Sequence, residues 1–227
     1  MNDSKKESRD VKIYSVLTGD IIGSRRISGE QKPRLPVLLR NLTEEAKQSF
    51  PGAILFNISI FRGDSWQIVI KKPELSLNIA LVYRVALISQ SENFKMDSRI
   101  GIGIGSVDFL PEVNISEGTG KAFSLSGQAL ERIEKEEYLS LRYSDEQIEN
   151  YINIILGLID TISRDWSPKK ALAIKGAILG LRQKDIAKLW DPTVSQQTVT
   201  RHLNRAGWTN LEKALNYLVD ILKTNSS

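Results

Sequence analysis

The chain has 227 residues, of which 41% are hydrophobic and 26% charged, a composition typical of a globular protein with room for two modest domains. It contains no cysteine and one histidine, which excludes disulfides, thiolate metal centres and multi-histidine metal centres within one chain. Any metal would therefore be held by carboxylate and carbonyl oxygens, the ligands that suit Mg²⁺, Mn²⁺ or Ca²⁺. No apolar run approaches the roughly 18–20 residues of a membrane span. Residues 1–10 lack the apolar segment of a signal peptide, so the cytoplasm is the expected location.

The positive charge is concentrated in the last third of the chain. From Asp165 onward there are ten Lys and Arg against five Asp and Glu, whereas residues 1–164 carry 21 against 22. This asymmetry predicts that the carboxy-terminal part of the chain binds a polyanion.

Hydrophobic periodicity divides the first two thirds of the chain into strands and helices. A hairpin is expected at Arg62-Gly63-Asp64, where the strand pattern is interrupted. The predicted elements, in chain order, are a loose polar tail (1–10), a strand (11–20), a helix within 28–50, strands at 53–61 and 65–71, a helix (73–91), a glycine-rich strand (98–109), a helix (121–133) and a last strand (138–144).

The order β-α-β-β-α-β predicts an α+β, ferredoxin-like domain with its helices on one face of an antiparallel sheet. From Asp145 only helical patterns follow, which predicts an all-α second domain. The expected boundaries are a disordered tail at 1–10, a first domain at 11–143, a connecting helix at 144–166 and a helical domain at 167–227.

Two Gly-Asp pairs indicate a site at the middle of the predicted sheet. Asp20 ends the first strand, in LTGDIIGSRR (17–26), and Asp64 lies in the central hairpin, in FRGDSWQ (61–67). In this strand order the two carboxylates converge, and Mg²⁺ takes one or two carboxylates together with water and phosphate oxygens. The alternative is ordinary turn chemistry, since Asp and Gly are common turn residues.

The segment after Asp20 has the composition of a phosphate-binding turn. Residues 21–24 offer backbone N–H groups, Gly23 removes side-chain bulk, and Arg25 or Arg26 adds positive charge. The predicted ligand is therefore an anion such as a nucleotide phosphate.

Four motifs resemble the catalytic domain of class III nucleotidyl cyclases and, more closely, the bacterial SatD family, in which a cyclase-like domain precedes a helix-turn-helix. They are TGDIIGSR, FRGDSWQIVI, SRIGIGIGSV and EGTGKAFSLSGQALE, in the cyclase order. The resemblance implies Mg²⁺ or Mn²⁺ and a nucleoside triphosphate or other nucleotide as ligands. It implies that Asp20, Asp64 and the Ile21 carbonyl hold the metal, and that Ile22, Gly23, Ser24 and Arg25 bind phosphate.

The resemblance is incomplete where catalysis takes place in the cyclases. Ser124 and Gln128 occupy the positions of the transition-state asparagine and arginine, so the cationic group is missing, and losing one such donor commonly costs about 10²–10³ in rate. Glu117 matches a base-reading acid, but Ile60 stands where a lysine is expected, and Ser65 replaces an acid common in SatD-like sequences. Weak or absent turnover is therefore expected. Helix capping and surface polarity are the alternative roles of these polar residues.

By the same resemblance the protein is expected to form a homodimer. In cyclases the metal aspartates face the base-reading groups of a second subunit, so the strand at 99–107 and the third helix are expected near a shared cleft. The glycines at 101, 103 and 105 equally fit tight packing within one chain.

Residues 183–205 have the pattern of a helix-turn-helix. A short helix at 183–189 is broken at Trp190-Asp191-Pro192, and Ser195 is a good N-cap for a helix at 196–205 whose Val199 and Leu203 face inward. In such modules the second helix enters the major groove of DNA, where Gln, Thr and Arg read bases or hold phosphates. The predicted DNA-binding residues are Lys184, Gln196, Gln197, Thr198, Thr200, Arg201 and Arg205.

Helices on both sides support this module. Ser167-Pro168 is a helix start, and an apolar stripe at Leu211, Leu215, Leu218 and Leu222 marks a closing helix for packing or dimerisation. His202 is interpreted as an exposed helix residue or phosphate contact. A helical bundle with a solvated basic face, or one that binds protein, is the alternative.

These patterns favour a cytoplasmic, DNA-binding transcriptional regulator whose cyclase-like domain binds a nucleotide and a metal. A nucleotidyl cyclase or related nucleotidyltransferase is the second interpretation. A cyclase-fold dimerisation scaffold without a ligand is the third.

Overall fold

The computed structural model describes residues 12–24, 34–61, 64–91, 96–111 and 115–225. Within these residues the chain is α+β, with one five-stranded mixed sheet and eight α-helices. The strands are β1 (Ile13–Ile22), β2 (Ser59–Phe61), β3 (Ser65–Ile70), β4 (Asp97–Ser106) and β5 (Leu139–Arg142). The helices are α1 (Arg34–Ser49), α2 (Ser76–Ser89), α3 (Lys121–Arg132), α4 (Glu146–Ser163), α5 (Pro168–Ile178), α6 (Gln183–Ile186), α7 (Gln196–Arg205) and α8 (Trp208–Asn225).

The sheet has the order β2-β3-β1-β4-β5, with β1 at its centre. Strand β1 pairs antiparallel with both β3 and β4, β2 pairs antiparallel with β3, and β5 is parallel to β4. The register places Asp20 between Ser65 of β3 and Arg99 of β4. The residues of β1, β3 and β4 near Asp20 therefore lie together at one end of the sheet.

Helices cover both faces of the sheet. Because side chains alternate along a strand, Leu17 packs into the core that contains α1 and α2, whereas its neighbour Val16 packs with Val69 and Ala122 of α3 on the other face. The two helices of the predicted β-α-β-β-α-β order, α1 and α2, therefore share one face, and α3, which follows that order in the chain, covers the other.

The glycines of β4 accommodate α3. A Cβ at Gly101 would lie 2.3 Å from the Ser126 carbonyl oxygen, and one at Gly103 would lie 2.2 Å from the Ala122 carbonyl oxygen. Only glycine lets the helix backbone approach the strand this closely. Tight packing within one chain thus explains these glycines.

Helix α2 lies inside the molecule, between the sheet and the carboxy-terminal helices. Twelve of its 14 residues are buried, and it contacts β4 on one side and α5 on the other. One hydrophobic core extends from Leu17 of β1 to Leu222 of α8. The domain boundaries near 143–166 remain a prediction, and α4 occupies most of that interval.

A buried arginine, Arg84, links α2 to β4, to α4 and to the start of β5. Arg84 donates to both carboxylate oxygens of Asp97 at 3.0 Å and to Asp160 of α4 at 2.6 Å. Asp160 also accepts from the backbone N–H groups of Tyr138 and Leu139, and the guanidinium lies over the Tyr138 ring. Burial alone would lower the pKa of Arg84, but the facing aspartates raise it above its ordinary value. The arginine is therefore a fixed cation between the sheet and α4.

The helix starts follow the sequence signals. Asp145, Ser167 and Ser195 cap α4, α5 and α7 by accepting hydrogen bonds from backbone N–H groups of the first turn, and such caps typically contribute about 1 kcal/mol each. Among the described residues no helix combines the length and apolar character needed to cross a bilayer.

Candidate functional site

Asp20 lies two residues before the end of β1, the central strand, and pairs with an arginine. Arg99, directly opposite on β4, donates from Nη2 to Asp20 Oδ2 at 2.6 Å and from Nε to Asp20 Oδ1 at 3.3 Å. The Arg99 and Asp20 side chains are 44% and 30% exposed, so the pair contributes at most about 1 kcal/mol to stability. An interaction this weak can be exchanged for another cation.

Asp64 lies beside the residue that follows Asp20. Ile21 N–H donates to the Asp64 carbonyl at 3.1 Å, and Ser24 Oγ donates to the Asp64 carboxylate at 2.9 Å. Since the N–H and C=O of one strand residue point to the same neighbouring strand, the Ile21 carbonyl faces the hairpin that carries Asp64. The structure thus brings together Asp64, Ile21 and Ser24.

The turn after β1 requires glycine. Gly23 has a φ of 85°, in the left-handed region that side chains disfavour. Ile22 ends β1 and Ser24 is tied to Asp64. Arg25, the remaining predicted phosphate ligand, and its neighbour Arg26 lie outside the described residues.

The donor set fits a hard divalent cation in type. Two carboxylates and one carbonyl suffice for Mg²⁺, which keeps most of its shell as water and phosphate oxygens. Among the described residues, no group of three or more His, Cys, Asp or Glu is in position to hold a metal. Because Arg99 already neutralises Asp20, a metal there must compete with the guanidinium.

A row of polar side chains continues from Asp20 on the α3 face of the sheet. Gln67 Nε2 donates to Thr18 Oγ1 at 2.9 Å, and Thr18 Oγ1 lies 2.8 Å from Ser126 Oγ of α3. Gln67 Oε1 is buried and has no hydrogen-bond partner among the described residues. A buried acceptor without a partner is costly. Sequence reasoning missed Gln67, although strand alternation puts it on the face of Asp20.

The residues matched to cyclase catalysis lie on the outer side of α3 and before it. Ser124 and Gln128 are exposed and hydrogen-bonded to each other at 3.1 Å, whereas Ala122 and Ser126 point to the sheet. Glu117 is exposed in a 3₁₀ turn at Ile115–Glu117. Ser124 and Gln128 therefore lie on the side of α3 that faces away from the sheet.

A second polar surface lies on α7. Val199 and Leu203 are buried against α5 and α8, which turns the opposite face of the helix to solvent. A shallow surface depression there is lined by Gln197, Thr200, Arg201, Asn204 and Arg205. Asn204 belongs to this surface although sequence reasoning did not select it.

Other predicted DNA-binding residues are placed as follows. Gln196 is exposed at the start of α7, and Lys184 is exposed on α6. Thr198 lies 3.1 Å from the capping Ser195 hydroxyl, and Thr200 donates to Gln183 of α6 at 2.9 Å. The two threonines therefore also hold the helices in place.

The only histidine of the chain lies within a cluster of cations. The His202 ring stacks on Trp190, with 5.9 Å between ring centroids. Partial burial lowers the pKa of His202, and the nearby charges of Arg201, Lys169, Arg205 and Lys170 lower it further. The two lysines come from the first turn of α5, so the positive charge around His202 comes from two helices. We call Lys169, Lys170, Arg201, His202 and Arg205 the basic surface.

Comparison of the sequence with protein-family models gave no match, and comparison with curated proteins gave none either. The functional assignment therefore depends on the two polar surfaces themselves.

Proposed function

We propose that this protein is a DNA-binding transcriptional regulator in which α6 and α7 form a helix-turn-helix. The observation that carries the proposal is the exposed face of α7, where Gln197, Arg201, Asn204 and Arg205 stand together. The removal of Arg201 and Arg205 tests it, as set out in the Discussion.

The chemistry of this face suits a major groove. Arginine pairs with guanine edges and with phosphates, and glutamine and asparagine pair with adenine. Lys169 and Lys170 add charge from a second helix, which suits the phosphate backbone beside the groove. Helices α5 and α8 support α7 from behind and hold the reading face rigidly.

We also propose that the end of the sheet at Asp20 is a nucleotide site in a ferredoxin-like, cyclase-related domain. The strand order β2-β3-β1-β4 with its antiparallel pairs supports this fold. Asp20, Asp64 and the Ile21 carbonyl would hold Mg²⁺ or Mn²⁺, and residues 22–25 would bind phosphate. The metal would neutralise phosphate charge. Arg99, once it leaves Asp20, would be available to pair with the same phosphate.

Binding at one surface can reach the other through α2. This helix contacts β4 as well as α5, and α5 packs against α7. Regulation requires that the nucleotide stabilise one of two arrangements that bind DNA differently.

Titration calorimetry with ATP and with GTP, each with and without Mg²⁺ or Mn²⁺, tests the nucleotide site. We expect metal-dependent binding that is abolished in the Asp20→Ala, Asp64→Ala double variant, because the metal loses both carboxylates. Arg99→Ala is expected to tighten the binding of Mn²⁺ alone by about tenfold, since removing a unit charge about 4 Å from a divalent ion is worth one to two kcal/mol in a solvated site.

Arg40→Ala, which removes an exposed arginine from α1, is the control for Arg99→Ala. Nucleotide binding that the double variant retains would contradict the site, and absence of any nucleotide binding would leave the domain as a scaffold. Pyrophosphate release in the same samples would favour the cyclase interpretation.

The pKa of His202 reports on DNA at the basic surface. DNA phosphates oppose the cations that lower this pKa, so we expect the pKa of His202 to rise when DNA binds. DNA affinity should then increase as the pH falls from above the His202 pKa of the complex to below that of the free protein. A rise of one pKa unit corresponds to about tenfold in affinity. NMR titration of the imidazole is unambiguous because the chain has one histidine.

The Arg201→Ala, Arg205→Ala variant is the comparison for this titration. Its free protein should show a higher pKa for His202 than the wild type, because two of the four neighbouring cations are gone. A His202 pKa that stays the same when saturating DNA is added would contradict contact at this surface.

A further inference from the structure

The outer face of α7 carries a row of side chains that have no partner within the fold. Its members are exposed and are separated by four, three and one residues, which puts them on one side of the helix: Gln197, Arg201, Asn204 and Arg205. Among the described residues, none of these four side chains makes a hydrogen bond or an ion pair. Their polar groups are therefore available to a ligand.

Arg201 lies at the centre of this face. Val199 and Leu203, the two residues that α7 buries, are each two positions away from it. Two positions turn a side chain by about 200° around the helix axis, so Arg201 points directly away from the core. Gln197 precedes Arg201 by about one turn and lies on the same side of the helix.

The two threonines of α7 differ from this row because their hydroxyls have partners within the protein. Thr200 Oγ1 lies 2.9 Å from Gln183 Oε1 and 3.0 Å from the Gln196 carbonyl oxygen. Thr198 Oγ1 lies 3.1 Å from the hydroxyl of the capping Ser195. The threonines therefore hold α7 in place, and the contacts with a ligand are left to the other side chains.

The charge of Arg201 has no counter-charge within the helix-turn-helix. Asp185 is the only acidic residue of α6 and α7. It pairs with Arg182 at 3.0 Å and with Lys188 at 3.1 Å, and both of these cations belong to the segment around α6. The guanidinium of Arg201 therefore suits an electronegative partner outside the chain.

Glutamine and arginine recognise different bases in a major groove. Guanine presents two acceptors, O6 and N7, which match the parallel N–H donors of an arginine. Adenine presents an acceptor, N7, beside the N6 donor, and these match the two ends of a glutamine amide. One such pair of hydrogen bonds discriminates against a wrong base by about 5- to 150-fold.

We propose that Gln197 and Arg201 determine the DNA sequence that the protein prefers, with Gln197 reading an adenine and Arg201 a guanine. This inference rests on the DNA-binding function proposed above. The two residues are about 6 Å apart along the helix and successive base pairs are about 3.4 Å apart, so the two bases are about one or two base pairs apart. Asn204 and Arg205 lie in the last turn of α7, away from the start of the helix that contacts base edges in such modules, and are left for the phosphates.

Selection from a duplex library with about ten randomised base pairs, using the full chain, tests this inference. We expect the enriched duplexes to share an adenine and a guanine about one or two base pairs apart. Sequence preference is the readout because a cation in the groove releases condensed counterions whether it contacts a base or a phosphate. The salt dependence of binding therefore does not distinguish the two kinds of contact.

Two variants identify the residue that reads each base. Arg201→Gln is expected to replace guanine by adenine at one position of the selected sequence and to leave the other position unchanged, since a glutamine amide matches the adenine edge. Gln197→Ala is expected to accept all four bases at the adenine position, with the guanine preference kept. Arg205→Ala, which removes an exposed arginine of the same helix, is the matched control and should weaken binding to all duplexes without changing the selected sequence.

The outcomes separate this inference from the function on which it rests. Binding of the wild type without any sequence preference, or a selected sequence that stays the same in Arg201→Gln, would overturn the assignment of the bases and leave DNA binding intact. Absence of binding to every duplex would overturn the helix-turn-helix function, and this inference with it.

Discussion

Replacing Arg201 and Arg205 by alanine is expected to weaken DNA binding by about 10²–10³-fold, since each arginine contact to a base or phosphate contributes about 1–3 kcal/mol. Both residues are exposed on the outer face of α7, so the fold should be unaffected. The plot of log affinity against log salt should also become shallower by about two, because up to two phosphate contacts are lost. Fluorescence anisotropy with labelled duplex at several salt concentrations measures both effects.

The matched control removes the same charge elsewhere. Arg34→Ala with Arg40→Ala takes two exposed arginines from α1, leaving the basic surface intact, and should change affinity only slightly. Equal loss in both double variants would indicate an unspecific response to net charge. Unchanged salt-dependent binding in the Arg201 and Arg205 variant would contradict DNA recognition by α7.

Arg84→Met is expected to lower the free energy of unfolding by about 3–5 kcal/mol. The substitution leaves Asp97 and Asp160, both nearly fully buried, without their cation, and an uncompensated buried charge is strongly destabilising. For a chain of this size the loss corresponds to a decrease in Tm of about 10 °C. Differential scanning calorimetry and urea unfolding measure it.

Two variants separate charge from packing at this position. Arg40→Met, on the surface of α1, should change stability by less than about 0.5 kcal/mol. Adding Asp97→Asn and Asp160→Asn to Arg84→Met removes the unpaired charges and should recover part of the loss. A Tm within about 2 °C of the wild type for Arg84→Met would show that the cluster contributes little to holding α4 on the sheet.

The Arg84 cluster also lies on the path between the two proposed binding surfaces. Asp97 is in the strand that carries Arg99, and α2, which carries Arg84, packs on α5, the helix that supports α7. A shift of β4 at the proposed nucleotide site would therefore reach α5 and α7 through buried contacts.

Local patterns in the sequence were sufficient for most of the secondary structure. Strand alternation predicted β1, and the Ser195 cap with Val199 and Leu203 predicted α7, because these signals depend on neighbours within a few residues. The second strand is shorter than predicted: the run at 53–61 forms only β2 at Ser59–Phe61 and an isolated bridge at Ile54. Apolar composition alone does not determine how many residues of such a segment form hydrogen bonds with a neighbouring strand.

By itself the sequence determined the α+β class, the order of the elements, and the two stretches that carry the candidate chemistry, because periodicity, caps and glycines act locally. Only the tertiary structure decided that Arg99 faces Asp20, since this pairing depends on the register of two strands far apart in the chain. It likewise decided that Lys169 and Lys170 lie near His202, that α3 packs on the glycines of β4, and that Arg84 meets Asp160. Each of these contacts joins residues distant in the chain. They are determined by the packing of the whole core, which local sequence propensities do not encode.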